Sequence, residues 1–462
     1  MEKDIVNIIN DQSEFFNKRK TYSYSYRIKK LKKLKSVIVK YEQEIHDALK
    51  KDLNKNPYES YMVETGFILH EISTAIKNLK KWMKPKRVST PLMLFPSMSY
   101  LNNEPLGKVL IIGPWNYPFH LVLIPFVGAI AAGNTCIIKP SEISINSSIV
   151  IEKIIKEAFS SFEATVINGG VKETQILLNH RFDHIFFTGS TSVGRIIAEK
   201  AAKFLTPVTL ELGGKCPCIV LGKNDVNLVA KRIIWGKFLN AGQTCISPDY
   251  ILVEDSLKEI LVEKLIYYIN KFFGENENES PFYGRIVNEK NFNRLKGLFS
   301  KEKIIYGGKT SEGDRFISPT IIEADNSSEI MKEEIFGPII PILKIKNLED
   351  CLEIINSRPS PLAVYLYSKE KKIHQKIIGR TNSGAVCIND NGVQLGVSKL
   401  PFGGMGESGL GRYHGKASFD IFSNKKSIVK RFQFLDFIIA PARYVPYFKD
   451  ISIIRWVWKL FG

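Results

Sequence analysis

The chain has 462 residues, of which 44% are hydrophobic and 24% are charged. This length exceeds what one compact core needs, so we expect two or three domains with the composition of an ordinary soluble protein. The net charge of +18 would suit nucleic acid or anionic lipid, but also a solvated, lysine-rich surface. We favour the solvated surface and no nucleic-acid partner, because no nucleic-acid-binding motif accompanies the charge.

The cysteines and the N-terminal residues indicate the compartment. Six cysteines include no C-x-x-C pair and no even framework of spacings, which argues against a disulfide scaffold and against a zinc site. The first residues lack the charged start and apolar run of a signal peptide. We therefore expect a reduced, cytoplasmic setting and no bound metal.

In chain order, residues 1 to about 85 are predicted to be helical. The basic run 27–35 interleaves with apolar residues at steps of three and four, which predicts the solvent face of an amphipathic helix. Residues 88–100 are rich in proline, methionine and serine with little helical period, so they are predicted to form an extended excursion.

Residues 108–139 carry charge only at their two ends, which by length could suit a membrane span. Three prolines and several polar residues argue against a span and favour a buried strand, loop, helix and strand. From there apolar runs alternate with helical segments, which predicts parallel βαβ units, and a second α/β unit is expected from about residue 213. Strands are predicted at 109–112, 135–138, 165–167, 184–187, 208–212, 218–221, 250–253 and 363–367.

The segment 184–194 predicts a strand, a glycine turn at Gly189, and a helix that opens at Ser190. Free N–H groups and the dipole at such a helix start favour a phosphate. The alternative is that Gly189 and Gly194 serve packing only. The segment 404–409 also matches the G-x-G-x-x-G fingerprint, but no strand precedes it, so we interpret it as a flexible loop.

Two residues are candidates for chemistry. Glu211 ends a hydrophobic run beside a glycine pair, where desolvation would raise the pKa of its carboxyl group and suit it to act as a general base. The alternative is a carboxylate that caps a helix or pairs with a lysine. Cys245 follows a Gly-Gln-Thr loop, where a positive field or a base would increase the thiolate fraction. The alternative is a small buried hydrophobic residue.

Seven motifs in order carry a resemblance to a known family. They are 114–118 (PWNYP), 138–142 (IKPSE), 187–191 (FTGST), 210–215 (LELGGK), 242–245 (GQTC), 333–338 (EEIFGP) and 401–404 (PFGG). Together they resemble the aldehyde dehydrogenase superfamily over nearly the whole chain. The short N-terminal region and the ending 411–420 (GRYHGKASFD) look like its class 3 branch, whose members are commonly dimers that act on medium or long aliphatic and aromatic aldehydes.

The resemblance implies a catalytic mechanism. Cys245 would attack the aldehyde carbonyl to give a thiohemiacetal, and the amide of Asn116 with the backbone N–H of Cys245 would stabilise the oxyanion. Hydride would pass to the nicotinamide, and Glu211 would activate water to hydrolyse the thioester to a carboxylate.

The resemblance also implies the cofactor site. Lys139 and Glu142 would bind the adenosine ribose, and the acidic residue favours NAD, although class 3 relatives with this glutamate often accept NADP as well. The remaining positions are Gly189 and Ser190 at the pyrophosphate, Glu334 at the nicotinamide ribose, Phe336 against the nicotinamide ring, and Trp115, Gly194 and Leu212 elsewhere in the cofactor site.

The implied fold is α/β, with a Rossmann-type parallel-sheet cofactor domain, a second α/β catalytic domain and a bridging hairpin for oligomerisation. We assign 1–86 and 104–212 to the cofactor domain, 213–418 to the catalytic domain, and 87–103 with 419–431 to the bridging strands of a homodimer. The tail 432–462 includes Phe434, Phe437, Ile438, Ile439 and an apolar and basic segment 451–462. That segment is too short to span a membrane but could lie weakly on its surface, or pack on the enzyme.

Two other functions stay open from the sequence. A CoA-acylating dehydrogenase would use the same thioester but would not need the hydrolytic base Glu211. A non-catalytic structural or nucleic-acid-binding member would not need Cys245, Glu211 and Asn116 together.

Overall fold

The computed structural model describes residues 2–91, 94, 96–300, 302–434, 444, 445, 447 and 450–461. The helices are α1 (Glu2–Asn17), α2 (Tyr24–Lys40), α3 (Glu42–Leu53), α4 (Pro57–Ser60), α5 (Gly66–Met83), α6 (His120–Ala132), α7 (Ile145–Ala158), α8 (Val171–Leu178), α9 (Thr191–Ala202), α10 (Val226–Phe238), α11 (Lys258–Phe273), α12 (Glu289–Phe299), α13 (Leu348–Asn356), α14 (Lys371–Arg380), α15 (Lys416–Ile421) and α16 (Ile451–Phe461).

The strands are β1 (Lys86–Val88), β2 (Ser97–Pro105), β3 (Lys108–Ile112), β4 (Thr135–Lys139), β5 (Ala164–Val166), β6 (His184–Thr188), β7 (Val208–Glu211), β8 (Pro217–Val220), β9 (Tyr250–Glu254), β10 (Lys303–Tyr306), β11 (Thr310–Ser311), β12 (Phe316–Ile317), β13 (Thr320–Glu323), β14 (Ile339–Ile345), β15 (Ala363–Tyr367), β16 (Ala385–Ile388), β17 (Gly409–Leu410) and β18 (Ser423–Arg431). All eight predicted strands are present to within a residue or two.

The first large sheet has the strand order β17-β7-β6-β3-β4-β5, and only β17 is antiparallel to its neighbour. Strand β3 shows why both faces need helices, because successive side chains point to opposite faces. Val109 and Ile111 pack with Val122 of α6, whereas Leu110 and Ile112 pack in a separate cluster with α1, α8 and α9. Burying each such aliphatic side chain contributes about 1.5–3 kcal/mol.

The second large sheet has the order β10-β13-β14-β9-β8-β15-β16 and is parallel except for the pair β10 and β13. The loop between α10 and β9 carries Cys245. It lies at the end of this sheet where the parallel strands β8 and β9 begin, and β8 follows directly after β7 of the first sheet. The α/β class with parallel-sheet domains is therefore confirmed.

A third, antiparallel sheet has the order β1-β2-β18, with β2 and β18 paired from Ser97 with Arg431 to Pro105 with Ser423. These strands fall in and beside the two predicted bridging segments, but α15 occupies the first residues of the second segment. The division of the chain into domains and the bridging role both stay predictions.

Three details differ from or qualify the expectations. Arg27 was predicted on the solvent face of α2, but it is buried, where its Nε donates to the carbonyl oxygen of Thr21 (2.7 Å) and its Nη1 to that of Ala131 (3.1 Å). Pro125 lies inside α6 instead of ending it. Phe437, Ile438 and Ile439 of the tail lie outside the described residues, and no helix in the described part is long and apolar enough to cross a membrane.

Candidate active site

The backbone before Cys245 is held in an uncommon conformation. Asn240 (φ 52°), Ala241 (φ 51°) and Gly242 (φ 74°) are all left-handed, which costs free energy for the two residues that have a Cβ. Surrounding contacts maintain it, since the N–H of Asn240 donates to Oε1 of Glu59 at 3.0 Å. A Cβ at Gly242 would lie only 2.2 Å from the carbonyl oxygen of Gly337, so this position requires glycine.

Gln243 fixes the rest of this loop. Its Nε2 donates to the carbonyl oxygen of Arg285 at 2.9 Å, and its Oε1 accepts from the N–H of Val287 at 3.0 Å. One side chain thus ties the loop to the segment before α12. Thr244 adds a hydrogen bond of 2.6 Å between its hydroxyl and that of Tyr117. Cys245 is therefore presented by a loop that is fastened on both sides.

Asn116 contacts this loop directly. Its side-chain amide donates to the carbonyl oxygen of Gln243 at 3.0 Å, and its own carbonyl oxygen accepts from Nζ of Lys55 (2.8 Å) and from Nδ2 of Asn240 (2.9 Å). Lys55 is fully buried and pairs with Glu64 at 2.7 Å, and the second oxygen of Glu64 accepts two N–H groups at the start of α6. This closed polar network holds the amide of Asn116 near Cys245.

The thiol of Cys245 is neutral in its resting surroundings. Burial, together with the nearby carboxyl groups of Glu334 and Glu211, raises its pKa to about 12. Cys216 donates from its Sγ to the carbonyl oxygen of Cys245 at 3.5 Å, which supports the loop from below. Forming the thiolate thus requires a proton acceptor, a stabilising ligand, or a higher pH.

Glu211 is the last residue of β7 and is 3% exposed. Within the described part of the chain, neither carboxyl oxygen has a hydrogen-bond partner. Burial raises the pKa of this carboxyl well above its ordinary value, and the charge of Arg412 offsets the rise only in part. The two alternatives from the sequence, a helix cap and a lysine pair, do not describe this residue. An unsatisfied buried carboxyl group is instead ready to exchange a proton with water or substrate.

Glu334 and Phe336 approach the site from the turn before β14. A Cβ at Gly213 would lie 2.0 Å from Oε2 of Glu334, so this glycine lets the carboxyl group lie against the backbone. Burial raises the pKa of Glu334 to about 8, and Asp249 contributes. Phe336 has φ 51°, a strained value, and its ring contacts that of Trp115 edge-on, with 5.4 Å between centroids.

Most of the predicted cofactor-binding and catalytic residues line a cavity of about 250 Å³. Nine of the twelve predicted site residues line it, together with Arg294: Trp115, Asn116, Gly189, Ser190, Glu211, Leu212, Cys245, Glu334 and Phe336. Ser190 caps α9, as predicted, and its hydroxyl accepts from the N–H of Val193 at 3.5 Å. The free N–H groups at the start of α9 therefore face a cavity that could hold a phosphate.

The other three predicted residues lie outside that cavity. Lys139, the last residue of β4, forms an ion pair of 3.4 Å with Glu142. Ile112 of β3 pairs with both Lys139 and Phe187, so the ion pair and Gly189 lie at the same end of the sheet. Two strand spacings, roughly 10 Å, separate the two groups. A Cβ at Gly194 would lie 2.7 Å from the side chain of Leu212, so this glycine lets α9 lie close to Leu212, and its contact with a cofactor stays a prediction.

A second cavity, of about 300 Å³, reaches Cys245 from the other side. Its walls are almost entirely apolar, and they include Phe67, Tyr117, Leu121, Trp235 and Phe402. His120 also lines it, but burial lowers the pKa of this imidazole to about 4, so it carries no charge at neutral pH. Cys245 and Leu121 are the two residues that line both cavities.

Several residues at this site had no sequence signal. Lys55 and Glu64 come from the helical N-terminal region, which contained no motif. Lys237 on α10 is fully buried, its Nζ has no hydrogen-bond partner in the described part of the chain, and burial lowers the pKa of its amine to about 8. In the sequence, a lysine that is buried in a helix cannot be told from the lysines on the exposed face of the same helix.

Comparisons with known proteins identify the class. The model of the "Aldehyde dehydrogenase family" matches residues 1–428, and the chain belongs to this family. It is 48% identical over 422 residues to "4,4'-diaponeurosporen-aldehyde dehydrogenase" of Staphylococcus aureus, and the matched region covers 91% of this chain and 92% of that protein. It is 45% identical to "Aldehyde dehydrogenase, dimeric NADP-preferring" of Rattus norvegicus, covering 94% and 96% of the two chains.

The fold comparison agrees. A solved structure described as "Substrate bound state of Staphylococcus Aureus AldH" matches with a TM-score of 0.96 and 45% identity, covering 98% of this chain and 99% of that one. The protein is thus an NAD(P)-dependent aldehyde dehydrogenase, an enzyme that oxidises aldehydes.

Proposed function

We propose that this enzyme oxidises a medium- or long-chain aliphatic or an aromatic aldehyde to the carboxylate through a thioester on Cys245. The observation that carries the proposal is the position of Cys245 at the border of two cavities. One is the apolar cavity of about 300 Å³, and the other is the cavity of about 250 Å³ that Ser190 at the start of α9 also lines, called here the cofactor cavity. An aldehyde carbonyl that entered from the apolar side would meet the thiol at the border of the two cavities. A sulfur nucleophile there splits the oxidation into acylation and hydrolysis.

Asn116 and the backbone N–H of Cys245 would stabilise the oxyanion that forms when sulfur adds to the carbonyl carbon. The polar network with Lys55 fixes the backbone of Asn116, so its amide needs little reorganisation to donate. The addition product is a thiohemiacetal. Its hydroxyl proton would pass to water in the cofactor cavity when the carbon is oxidised to the thioester.

Glu211 would serve the hydrolysis. Its carboxyl group has a raised pKa and no competing hydrogen-bond partner among the described residues, so the ionised form is a strong base toward a water molecule beside the thioester. As that water attacks the acyl carbon, Glu211 would take one of its protons, the carbon–sulfur bond would break, and this proton would pass to the sulfur of Cys245. The acid would lose its remaining proton to solvent and leave as the carboxylate.

The residues present fit a nicotinamide dinucleotide. The N-terminus of α9 suits its phosphates, Glu334 its nicotinamide ribose, Phe336 and Trp115 its nicotinamide ring, and Lys139 with Glu142 its adenosine ribose. When bound, this cofactor accepts the hydride that leaves the thiohemiacetal. Because Glu142 is acidic, we propose a preference for NAD, with NADP also accepted.

We further propose a homodimer and a weak membrane contact. The strand β18 is the edge of the three-stranded sheet, and a relative is named "dimeric". In α16 the side chains of Ile451, Trp456 and Trp458 are exposed beside Arg455 and Lys459, which suits the surface of an anionic bilayer. Analytical ultracentrifugation tests the dimer. Sedimentation with anionic vesicles, with and without residues 432–462, tests the membrane contact.

The first experiment is nicotinamide reduction with a panel from acetaldehyde to long-chain and aromatic aldehydes, with NAD and with NADP, for the parent enzyme and Cys245→Ala. Activity in the parent and none in the variant is the expected result. A parent that turns over aldehydes only when CoA is consumed would support the acylating alternative. Cofactor binding without any turnover would support the non-catalytic alternative.

A further inference from the structure

A third cavity, of about 230 Å³, lies next to the apolar cavity and shares three of its residues, which are Met62, Trp235 and Leu239. Trp235 and Leu239 are four residues apart at the end of α10 and the turn that follows it, so they form one ridge. Gly236 lines the apolar cavity on one side of this ridge, and Phe238 lines the third cavity on the other. The two cavities are therefore neighbours across a single row of apolar side chains.

The third cavity is also aromatic. Phe272 and Phe273 end α11, and Phe282 follows in the next loop with 60% of its surface exposed. Trp235 is 38% exposed, so the ridge reaches the protein surface. Among the residues that line the cavity, the one ionisable carboxyl is that of Glu59, whose Oε1 already accepts from Asn240. Solvent-exposed aromatic side chains grouped in this way mark a binding surface for an apolar ligand.

We propose that this third cavity is a distal subsite for the hydrocarbon tail of the aldehyde. The inference rests on the proposed function and extends it. A short aldehyde fits between Cys245 and the ridge, whereas a longer chain passes over Met62 and Trp235 and lies against Phe272 and Phe282. The occupant is an uncharged, extended hydrocarbon, because most of the described lining residues are apolar or aromatic, with Asn56, Tyr58 and Glu59 as the polar ones, and none of them is a cation. The adjacency of the two cavities across the three shared residues, with Trp235 exposed at the surface between them, carries this assignment.

The test uses Phe282→Ser and Phe272→Ser in the full-length enzyme, with saturated aldehydes from butanal to hexadecanal. We expect kcat/KM of the parent to rise with chain length, by up to about fourfold for each methylene group that becomes buried. Each variant should match the parent on butanal and lose about tenfold on the longest aldehydes, since part of an aromatic wall is gone. Tyr267→Ser, an exposed aromatic residue on α11 outside the cavity, is the matched control.

Three outcomes are distinguishable. A loss that grows with chain length supports the subsite. An equal loss at every length, or no loss at any length, overturns it, since the residues then act on stability or do not contact substrate. Failure of the parent to oxidise any aldehyde of the series in a Cys245-dependent way would instead reject the proposed function itself.

Discussion

The side-chain amide of Asn116 donates a 3.0 Å hydrogen bond to the carbonyl oxygen of Gln243, two residues before Cys245. This bond links the loop after β3 to the loop after α10, so two remote stretches of sequence form one site. It leaves the second N–H of the amide available for a substrate oxygen.

Asn116→Ala should therefore lower kcat by about 100- to 1,000-fold, as expected when one oxyanion donor is removed. Steady-state kinetics with a short aldehyde measures this. Asn146→Ala is the matched control, because it removes an amide hydrogen bond to Asp52, and neither residue lines the two cavities. Equal loss in the two variants would show that Asn116 acts only on the fold.

Glu211→Gln should separate the two half-reactions. Without a base, hydrolysis should slow by roughly 100- to 10,000-fold, while reduction of the cofactor still occurs once per site. Rapid mixing should show a burst of nicotinamide absorbance, and mass spectrometry should detect the acyl group on Cys245. Glu71→Gln, which alters a buried carboxyl outside the cavities, should show no burst. Loss of the burst itself in Glu211→Gln would assign this residue to acylation.

The pH dependence of kcat/KM and of kcat follows from two raised pKa values. Burial raises the pKa of Cys245 to about 12 and that of Glu211 well above its ordinary range, and both groups react in their deprotonated forms. Below its pKa, the fraction of each deprotonated group grows with pH. From about pH 6 to pH 9, kcat/KM should therefore increase with the ionisation of Cys245, which acts in acylation, and kcat with the ionisation of Glu211, which acts in hydrolysis. A profile that is flat or falls over this range would contradict these assignments.

Glu142→Gln should raise the use of NADP relative to NAD. The carboxylate, 48% exposed and 3.4 Å from Nζ of Lys139, would repel a 2′-phosphate on the ribose. Removing the charge should increase the ratio of kcat/KM for NADP to that for NAD by about tenfold. Glu263→Gln, on the exposed surface of α11, controls for the overall loss of charge. An unchanged ratio would mean that the ribose binds elsewhere.

Lys237→Met should stabilise the protein. Burial lowers the pKa of this amine from 10.5 to about 8, so the folded state disfavours the charge. The buried amine therefore lowers the free energy of unfolding in a pH-dependent way. This effect is absent well above the unfolded pKa, grows as pH falls toward 8, and below pH 8 reaches its full size, on the order of 3 kcal/mol. Urea unfolding should thus show the largest gain for Lys237→Met below about pH 8.

The matched control is Lys231→Met on the solvent side of the same helix. It should change the unfolding midpoint little at any pH. If Lys237→Met were instead less stable than the parent at neutral pH, the amine would have a stabilising partner in the folded enzyme.

The sequence by itself determined the α/β class and eight of the eighteen described strands, because short apolar runs bounded by turn residues have few other stable arrangements. It also indicated Cys245, Glu211 and the start of α9 at Ser190, since glycine-flanked motifs carry their local geometry with them. Arg27 shows the limit of this reasoning. Its place in a basic run predicted a solvent-facing side chain, yet the tertiary fold supplies buried carbonyl oxygens that bind it.

Only the tertiary structure decided which remote residues meet. Lys55, Glu64 and Lys237 had no motif, and the contact of Lys55 with Asn116 depends on how the N-terminal helices pack against α6. The absence of hydrogen-bond partners at Glu211 within the described part of the chain, and the apolar cavities on either side of Trp235, are likewise properties of packing. Periodicity assigns a side chain to a face of its element, but cavity shape and pKa depend on side chains that are distant in sequence.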